Sequence, residues 1–232
     1  MSERRDTIPG GDEPSIQVNQ EIVNKFIADP DFPFLISFPR TGSHWLRMVM
    51  ELYFEKPSLV RIFYYKDATD FTCYHRHDED LNIQRKNVIY LYRCPVETIY
   101  SQLNYYQEDI HDRERIMYWA NLYGRHLAKW LLQEEFTTRK TVITYEGMKK
   151  HIQGEFKKIC DHFSVTFNRE KLQPALTKVT KTEVKRKTVH DLRVINMSHG
   201  YKIDREKFGK DQSAFIMDCI YSVRNELKKF IT

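Results

Sequence analysis

Apolar and polar positions change period repeatedly along this chain, and the changes outline its fold. Phe34 to Phe38 is a short, nearly continuous apolar run, the pattern of a buried strand. From Ser43 the period lengthens: Trp45, Met48, Val49, Leu52 and Tyr53 recur at helical spacing, with Arg47 and Glu51 off that stripe. Pro39 and Gly42 punctuate the junction, and Ser43 suits a helix N-cap. Val88 to Tyr92 is a second buried strand that stops at Arg93-Cys94-Pro95, where Pro95 suits the first position of a helix carrying Val96, Ile99, Tyr100 and Leu103. An amphipathic helix is predicted from about Asp112 to Glu135, then a third strand over Thr141–Tyr145 and a helix over Glu146–Phe163.

Weaker patterns fill the rest. Ile16–Ile27 reads as a leading helix, ended by Asp29-Pro30-Asp31. Leu59–Tyr65 reads as a short strand or loop, and Phe71–His75 as β-prone. Arg169 to about Thr180 is helical, with Pro174 as a kink or first-turn residue. Lys181–Ile203 has little periodicity and is expected to be loop, before a closing helix from about Lys210 to Phe230. Met1 to about Ser15, charged and carrying Gly10-Gly11, is expected to be a disordered tail preceding a single domain over residues 16–232. Strands separated by helices imply right-handed crossovers and a central parallel sheet in an α/β fold. Ligands of such sheets bind beyond the carboxyl ends of the strands. The turn after Phe38, Arg93 and Tyr145 all fall there.

Strand, glycine turn and helix N-terminus in that order make an anion site. The turn amides and the first helical N–H groups lack intrahelical partners, and the helix dipole lies behind them. Arg40 adds a guanidinium able to clamp phosphate or sulfate through two parallel hydrogen bonds. No glycine is followed by Lys and then Ser or Thr, so the mononucleotide P-loop is missing, as is G-x-G-x-x-G. An ATP or GTP hydrolase of the usual kind is disfavoured.

Composition narrows the class further. The 232 residues, 41% hydrophobic and 30% charged, describe an ordinary globular chain with a sizeable core. Its net charge of +5 permits an anionic ligand, but the basic residues are scattered among acids rather than massed, which argues against nucleic acid. Cys73, Cys94, Cys160 and Cys219 form no C-x-x-C pair, and their spacing reads as reduced thiols in a cytoplasmic protein. Only Cys73, His75 and His77 approach a clustered metal-ligand set, so no metal is expected. No apolar run reaches the ~18 residues of a membrane span, and Met1–Pro14 has no apolar core for a secretory signal.

Pro39-Arg40-Thr41-Gly42-Ser43-His44-Trp45-Leu46 resembles the 5′-phosphosulfate loop of sulfotransferases, P-[KR]-[ST]-G-[ST]-x-[WF]-L. Those enzymes use 3′-phosphoadenosine 5′-phosphosulfate (PAPS). Further motifs agree in order and distance. Arg93-Cys94-Pro95 followed by Ser101 resembles the family's 3′-phosphate motif, R-x-P and a helical serine. Tyr145-Glu146 resembles the segment whose tyrosine lies near the adenine. The C-terminal motif R-K-G-x-x-G-x-W-K-x-x-F-[TS]-x-E-Q is eroded: Gly200 can stand for a motif glycine, Ser198 and His199 replace its two basic residues, and Lys202 or Arg205 are candidate substitutes.

The resemblance implies a three-layer, P-loop-like α/β fold and sulfuryl transfer from PAPS to an acceptor hydroxyl, releasing adenosine 3′,5′-bisphosphate (PAP). Cofactor-binding residues carried over are Arg40, Thr41, Gly42, Ser43, His44, Trp45, Arg93, Ser101, Tyr145, His199 and Gly200. Arg40 would also stabilise charge on the leaving group. The family places its base between the first motif and the R-x-P strand, where His75, His77, Asp78, Glu79 and Asp80 stand; His77 is favoured. The acceptor, a carbohydrate or small molecule, is not legible. Two rivals stay open: a nucleoside or sugar kinase with an unusual phosphate loop, and a non-catalytic member that binds a nucleotide or polyanion.

Overall fold

A computed structural model of the chain describes residues 13–231, apart from Glu134, Phe136, Met197 and the side chain of His199. The predicted tail therefore falls mostly outside the described residues. Glu13 and Ser15 are tied in place: Lys187 Nζ donates to the Glu13 carbonyl at 2.8 Å, and Ser15 N–H to the Lys187 carbonyl at 3.3 Å.

The residues fall into two compact units. One comprises the chain up to Phe32, His44–His75 and Asn168–Ile195; the other comprises Pro33–Ser43, Arg76–Phe167 and everything from Asn196 on. The second unit carries the parallel sheet. β2 (Phe34–Ser37), β5 (Asn87–Tyr92) and β6 (Arg139–Thr144) run parallel, with Ser37 beside Leu91 and Tyr92 beside Thr144, and β4 (Tyr74–Arg76) borders β2. Leu35, Ile36, Ile89, Tyr90 and Leu91 are wholly buried, which explains why these strands read as continuous apolar runs. Helices α3 (Pro95–Tyr106), α4 (Arg113–Leu132) and α9 (His199–Val223) pack on one another, and α6 (Ile152–His162) packs against β6 and the short α5 (Tyr145–Lys150). This is the predicted α/β architecture.

In the first unit, β1 (Ile16–Gln17) pairs antiparallel with β3 (Arg61–Ile62). Val18, Val23, Phe32, Leu59, Ile62 and Phe71 form its apolar cluster, and α1 (Gln20–Ile27), α7 (Arg169–Lys178) and α8 (Lys181–Lys187) belong to it. So does α2 (Ser43–Phe54) beyond its first residue.

Several local expectations need correction. Arg47 and Glu51, though off the apolar stripe of α2, are buried as well. The Glu51 carboxylate accepts the amides of Phe63, Tyr64 and Tyr65 at 2.7–3.0 Å, so a buried acid replaces regular strand pairing along that segment. Tyr145 does not end the third strand; it opens α5, because Thr144 Oγ1 caps the helix by accepting Gly147 N–H at 2.8 Å. The predicted helix over 146–163 breaks at His151. The segment 181–203, expected to be loop, contains α8 and the start of α9.

Candidate active site

β2, β5 and β6 end side by side, and the residues that follow each strand converge. After β2 the chain turns through Arg40 at φ 70° and Gly42 at φ 96° before α2 begins. A non-glycine residue in the left-handed region holds strain of about 1–3 kcal/mol and persists only where its surroundings impose it. Here they do. Arg93, just past β5, donates from Nη1 to the Arg40 carbonyl at 3.2 Å, and Arg40 Nε donates to Ser101 Oγ on α3 at 3.1 Å. Thr41, fully buried, closes the turn by donating from Oγ1 to the Phe38 carbonyl at 2.8 Å. Ser43, also buried, is the first residue of α2.

Tyr145, just past β6, fills the remaining side. A Cβ on Gly42 would stand 2.6 Å from its Cδ2, so only glycine admits this ring. The Arg93 guanidinium lies over the same ring at 4.6 Å, and that of Arg40 over Tyr105 at 4.9 Å. Two arginines from separate motifs therefore meet at the carboxyl edge of the sheet, each flattened against an aromatic face.

The strand-end arginine also has the carboxylate partner that an ordinary structural role would give it. Glu97 Oε2 receives Arg93 Nη2 at 2.7 Å and lies 3.2 Å from Arg205 Nη1 on α9. Two guanidiniums share one carboxylate, so a net positive charge remains. Arg205 was only a candidate substitute in the eroded C-terminal motif, yet it reaches this group. His199 and Gly200 open α9 instead of lying in a loop; Ser198 caps that helix by accepting Tyr201 N–H at 3.2 Å, and the His199 side chain lies outside the described residues. The Tyr201 carbonyl accepts the Tyr100 hydroxyl at 3.1 Å, which fixes the first turn of α9 to α3.

Sequence reasoning missed the supports. Tyr123 on α4 takes the Arg93 amide at 3.0 Å and returns its hydroxyl to the Arg93 carbonyl at 2.8 Å. Glu146 accepts the Cys94 amide at 3.1 Å. Tyr123 sits in an apolar helical stripe, so nothing in the pattern marks its hydroxyl.

His77 stands beyond β4, with Nδ1 2.7 Å from the carbonyl of Ser37, the last residue of β2. A carbonyl only accepts, so Nδ1 carries the proton and Nε2 keeps the basic lone pair. His75 is buried on β4. Asp78, buried at φ 42°, is gripped by Arg85 through two bonds of 3.0 Å.

His44 and Trp45 belong to the other unit. Trp45 Nε1 donates to the Val179 carbonyl at 3.1 Å, and the His44 ring lies 6.3 Å from that of His190. Among the described residues no three metal-ligating side chains gather. None of the four cysteines forms a disulfide. No helix among the described residues is long and apolar enough to cross a membrane.

Comparison with known proteins bears on the family and the fold. The family model described as sulfotransferase domain matches residues 73–225, well over half of the chain. The match includes Arg93, Ser101, Tyr145 and Gly200 but begins after the Pro39–Leu46 turn. Among solved structures, mouse sulfotransferase SULT7A1 complexed with PAP is similar at 15% identity and a TM-score of 0.57, over 90% of this chain and 95% of that one. Retinol dehydratase in complex with androsterone and inactive cofactor PAP (12% identity, TM-score 0.49, 88% and 91% covered) also matches. So does the sulfotransferase domain from the curacin biosynthetic pathway (16%, 0.45, 79% and 98%). No curated protein matches the chain by sequence.

Proposed function

The chain belongs to the sulfotransferase family, and we propose that it transfers a sulfuryl group from PAPS to an acceptor hydroxyl, with Arg40 and Arg93 binding the two phosphorylated ends of the nucleotide. The observation that carries this reading is the bond from Arg93 to the Arg40 carbonyl, which joins the two motifs beyond the ends of adjacent parallel strands. Arg40 and the turn residues Thr41, Gly42 and Ser43 take the 5′-phosphosulfate. Arg93 and Ser101 take the 3′-phosphate, with Arg205 in the place of the eroded motif's basic residues.

In the proposed reaction the acceptor oxygen attacks sulfur in line with the bridging oxygen. The S–O bond to the 5′-phosphate breaks, its electron pair stays on that phosphate, and the acceptor proton passes to His77 Nε2. A positioned base of this kind contributes roughly 10²–10⁴-fold. The permanently charged Arg40 offsets the negative charge growing on the leaving oxygen. The reading takes residues 16–232 as one catalytic domain in a reducing, cytoplasmic setting, acting on a carbohydrate or small-molecule hydroxyl.

The test is transfer of labelled sulfate from PAPS to a library of hydroxyl compounds, with the wild-type chain and with His77→Ala. Label on an acceptor with the wild type, lost in the variant while PAP still binds, is the expected result. PAP binding with no transfer to any acceptor, or undiminished transfer by His77→Ala, contradicts it.

A further inference from the structure

His126, on α4, is one of the most buried polar residues in the chain, and nothing in the proposed reaction uses it. Its Nε2 lies 2.7 Å from the carbonyl of His77, and its Nδ1 lies 3.0 Å from the hydroxyl of Tyr90 on β5. The carbonyl can only accept, so Nε2 carries the hydrogen and Nδ1 accepts from Tyr90. The same ring packs edge-on against Phe38, centroids 5.5 Å apart, next to the Ser37 whose carbonyl takes His77 Nδ1–H. One imidazole thus touches the backbone of His77 and the segment to which the His77 ring is bonded.

The neighbouring contacts act on the same stretch. Lys129, three residues on, donates to the carbonyls of Leu81, at 2.7 Å, and Ile83. Arg85 grips the carboxylate of Asp78, whose backbone is left-handed. The stretch from His77 to Ile83 is therefore held by three polar side chains: His126 and Lys129 on its carbonyls and Arg85 on the Asp78 carboxylate. An apolar residue of similar volume could fill the space of His126, but it could not hold the His77 carbonyl.

We propose that His126 is a positioning residue: by holding the His77 carbonyl through Nε2–H while Tyr90 occupies Nδ1, it fixes the orientation in which His77 presents Nε2 to the acceptor. This inference rests on the reading of His77 as the base. Burial pushes the His126 imidazole down to about 3, so the donor–acceptor pattern persists across ordinary assay conditions.

Gln and Asn variants separate this role from mere core filling. The amide nitrogen of Gln reaches the position of Nε2, whereas that of Asn reaches only the position of Nδ1. The measurements are the ¹⁵N imidazole spectrum of His77, PAP affinity by calorimetry, and turnover with the best acceptor from the library. His126→Gln should keep the single Nδ1–H tautomer of His77 and a near-native kcat. His126→Asn should average that tautomer and lower kcat by about 100-fold, with KM for PAPS changed by no more than about two-fold.

A folded His126→Asn with the native His77 spectrum and kcat overturns the proposal. Should the Asn variant not fold, His126→Gln decides alone: retained His77 signals support the proposal, and lost ones overturn it. His77→Ala distinguishes the two readings. Full turnover by that variant removes the base assignment, whereas an inactive His77→Ala beside an unaltered His126→Asn removes only the positioning role.

Discussion

Arg93 donates from Nη1 to the main-chain carbonyl of Arg40 at 3.2 Å, across 53 positions of sequence. The bond gives Arg93 a structural role beside its proposed phosphate contact, because it stabilises the left-handed turn from which Arg40 projects. Arg93→Ala should therefore weaken PAP binding by about 10- to 100-fold, the range of a lost charge-assisted hydrogen bond. Arg93→Lys should recover only part of that loss, since an ammonium keeps the charge without the planar fork. Calorimetric titration of both variants checks this, and equal affinities for wild type and Arg93→Ala would contradict it.

Glu97 competes with any anion for the same guanidiniums, being bonded to Arg93 at 2.7 Å and to Arg205 at 3.2 Å. Glu97→Gln should tighten PAP binding several-fold, with the gain shrinking as salt rises because the charges are partly exposed. Weaker binding by Glu97→Gln would mean that the carboxylate orients the arginines rather than opposing the ligand.

Gly42 combines φ 96° with a neighbouring ring 2.6 Å from where a Cβ would stand. Gly42→Ala should cost about 1–3 kcal/mol and lower the thermal midpoint by about 2–12 °C. The double variant Gly42→Ala/Tyr145→Ala relieves the contact but not the backbone strain, so it should recover only part of the loss from the Tyr145→Ala background. Calorimetric melts of the four proteins measure the difference.

Two buried histidines set a pH dependence of stability. Burial lowers His126 to about 3 and His162 to about 4 from an ordinary value of 6.5. Between those values the unfolded chain binds more protons than the folded one. Stability therefore rises with pH across that window, and is lost as pH falls below about 6.5. Each group contributes a slope of up to about 1.4 kcal/mol per pH unit. Urea midpoints taken near pH 7 and near pH 5 should differ in the wild type and differ less in His126→Gln/His162→Gln.

The parallel sheet was legible because β2 and β5 are buried on both faces, and burial on both faces leaves continuous apolar runs such as Phe34–Phe38 and Val88–Tyr92. Arg40 and Arg93 could be picked out because each stands at a recognisable break in period, whereas Ser101, inside a helix, was marked only by the resemblance to the family's 3′-phosphate motif. Buried polar residues were not legible. Glu51 and Arg47 lie on the polar side of the α2 pattern, and only the amides of Phe63–Tyr65, distant in sequence, reveal why Glu51 is buried. His126 and Tyr123 hide in the apolar stripe of α4 for the converse reason: their rings are core, and their polar atoms find partners through tertiary contact alone. The helix over 181–187 had a signal that periodicity overlooks, since Thr180 and Glu183 have capping-box spacing and Thr180 Oγ1 does accept the Glu183 amide at 3.2 Å.

The central claim is that Arg93 reads the 3′-phosphate while Arg40 holds the 5′ end, and nucleotides differing only in that phosphate test it most directly. Calorimetry should show the wild type binding adenosine 3′,5′-bisphosphate at least about 10-fold more tightly than adenosine 5′-monophosphate, with Arg93→Ala erasing that preference and Arg40→Ala preserving it. An unchanged preference in Arg93→Ala, or none in the wild type, would contradict the account.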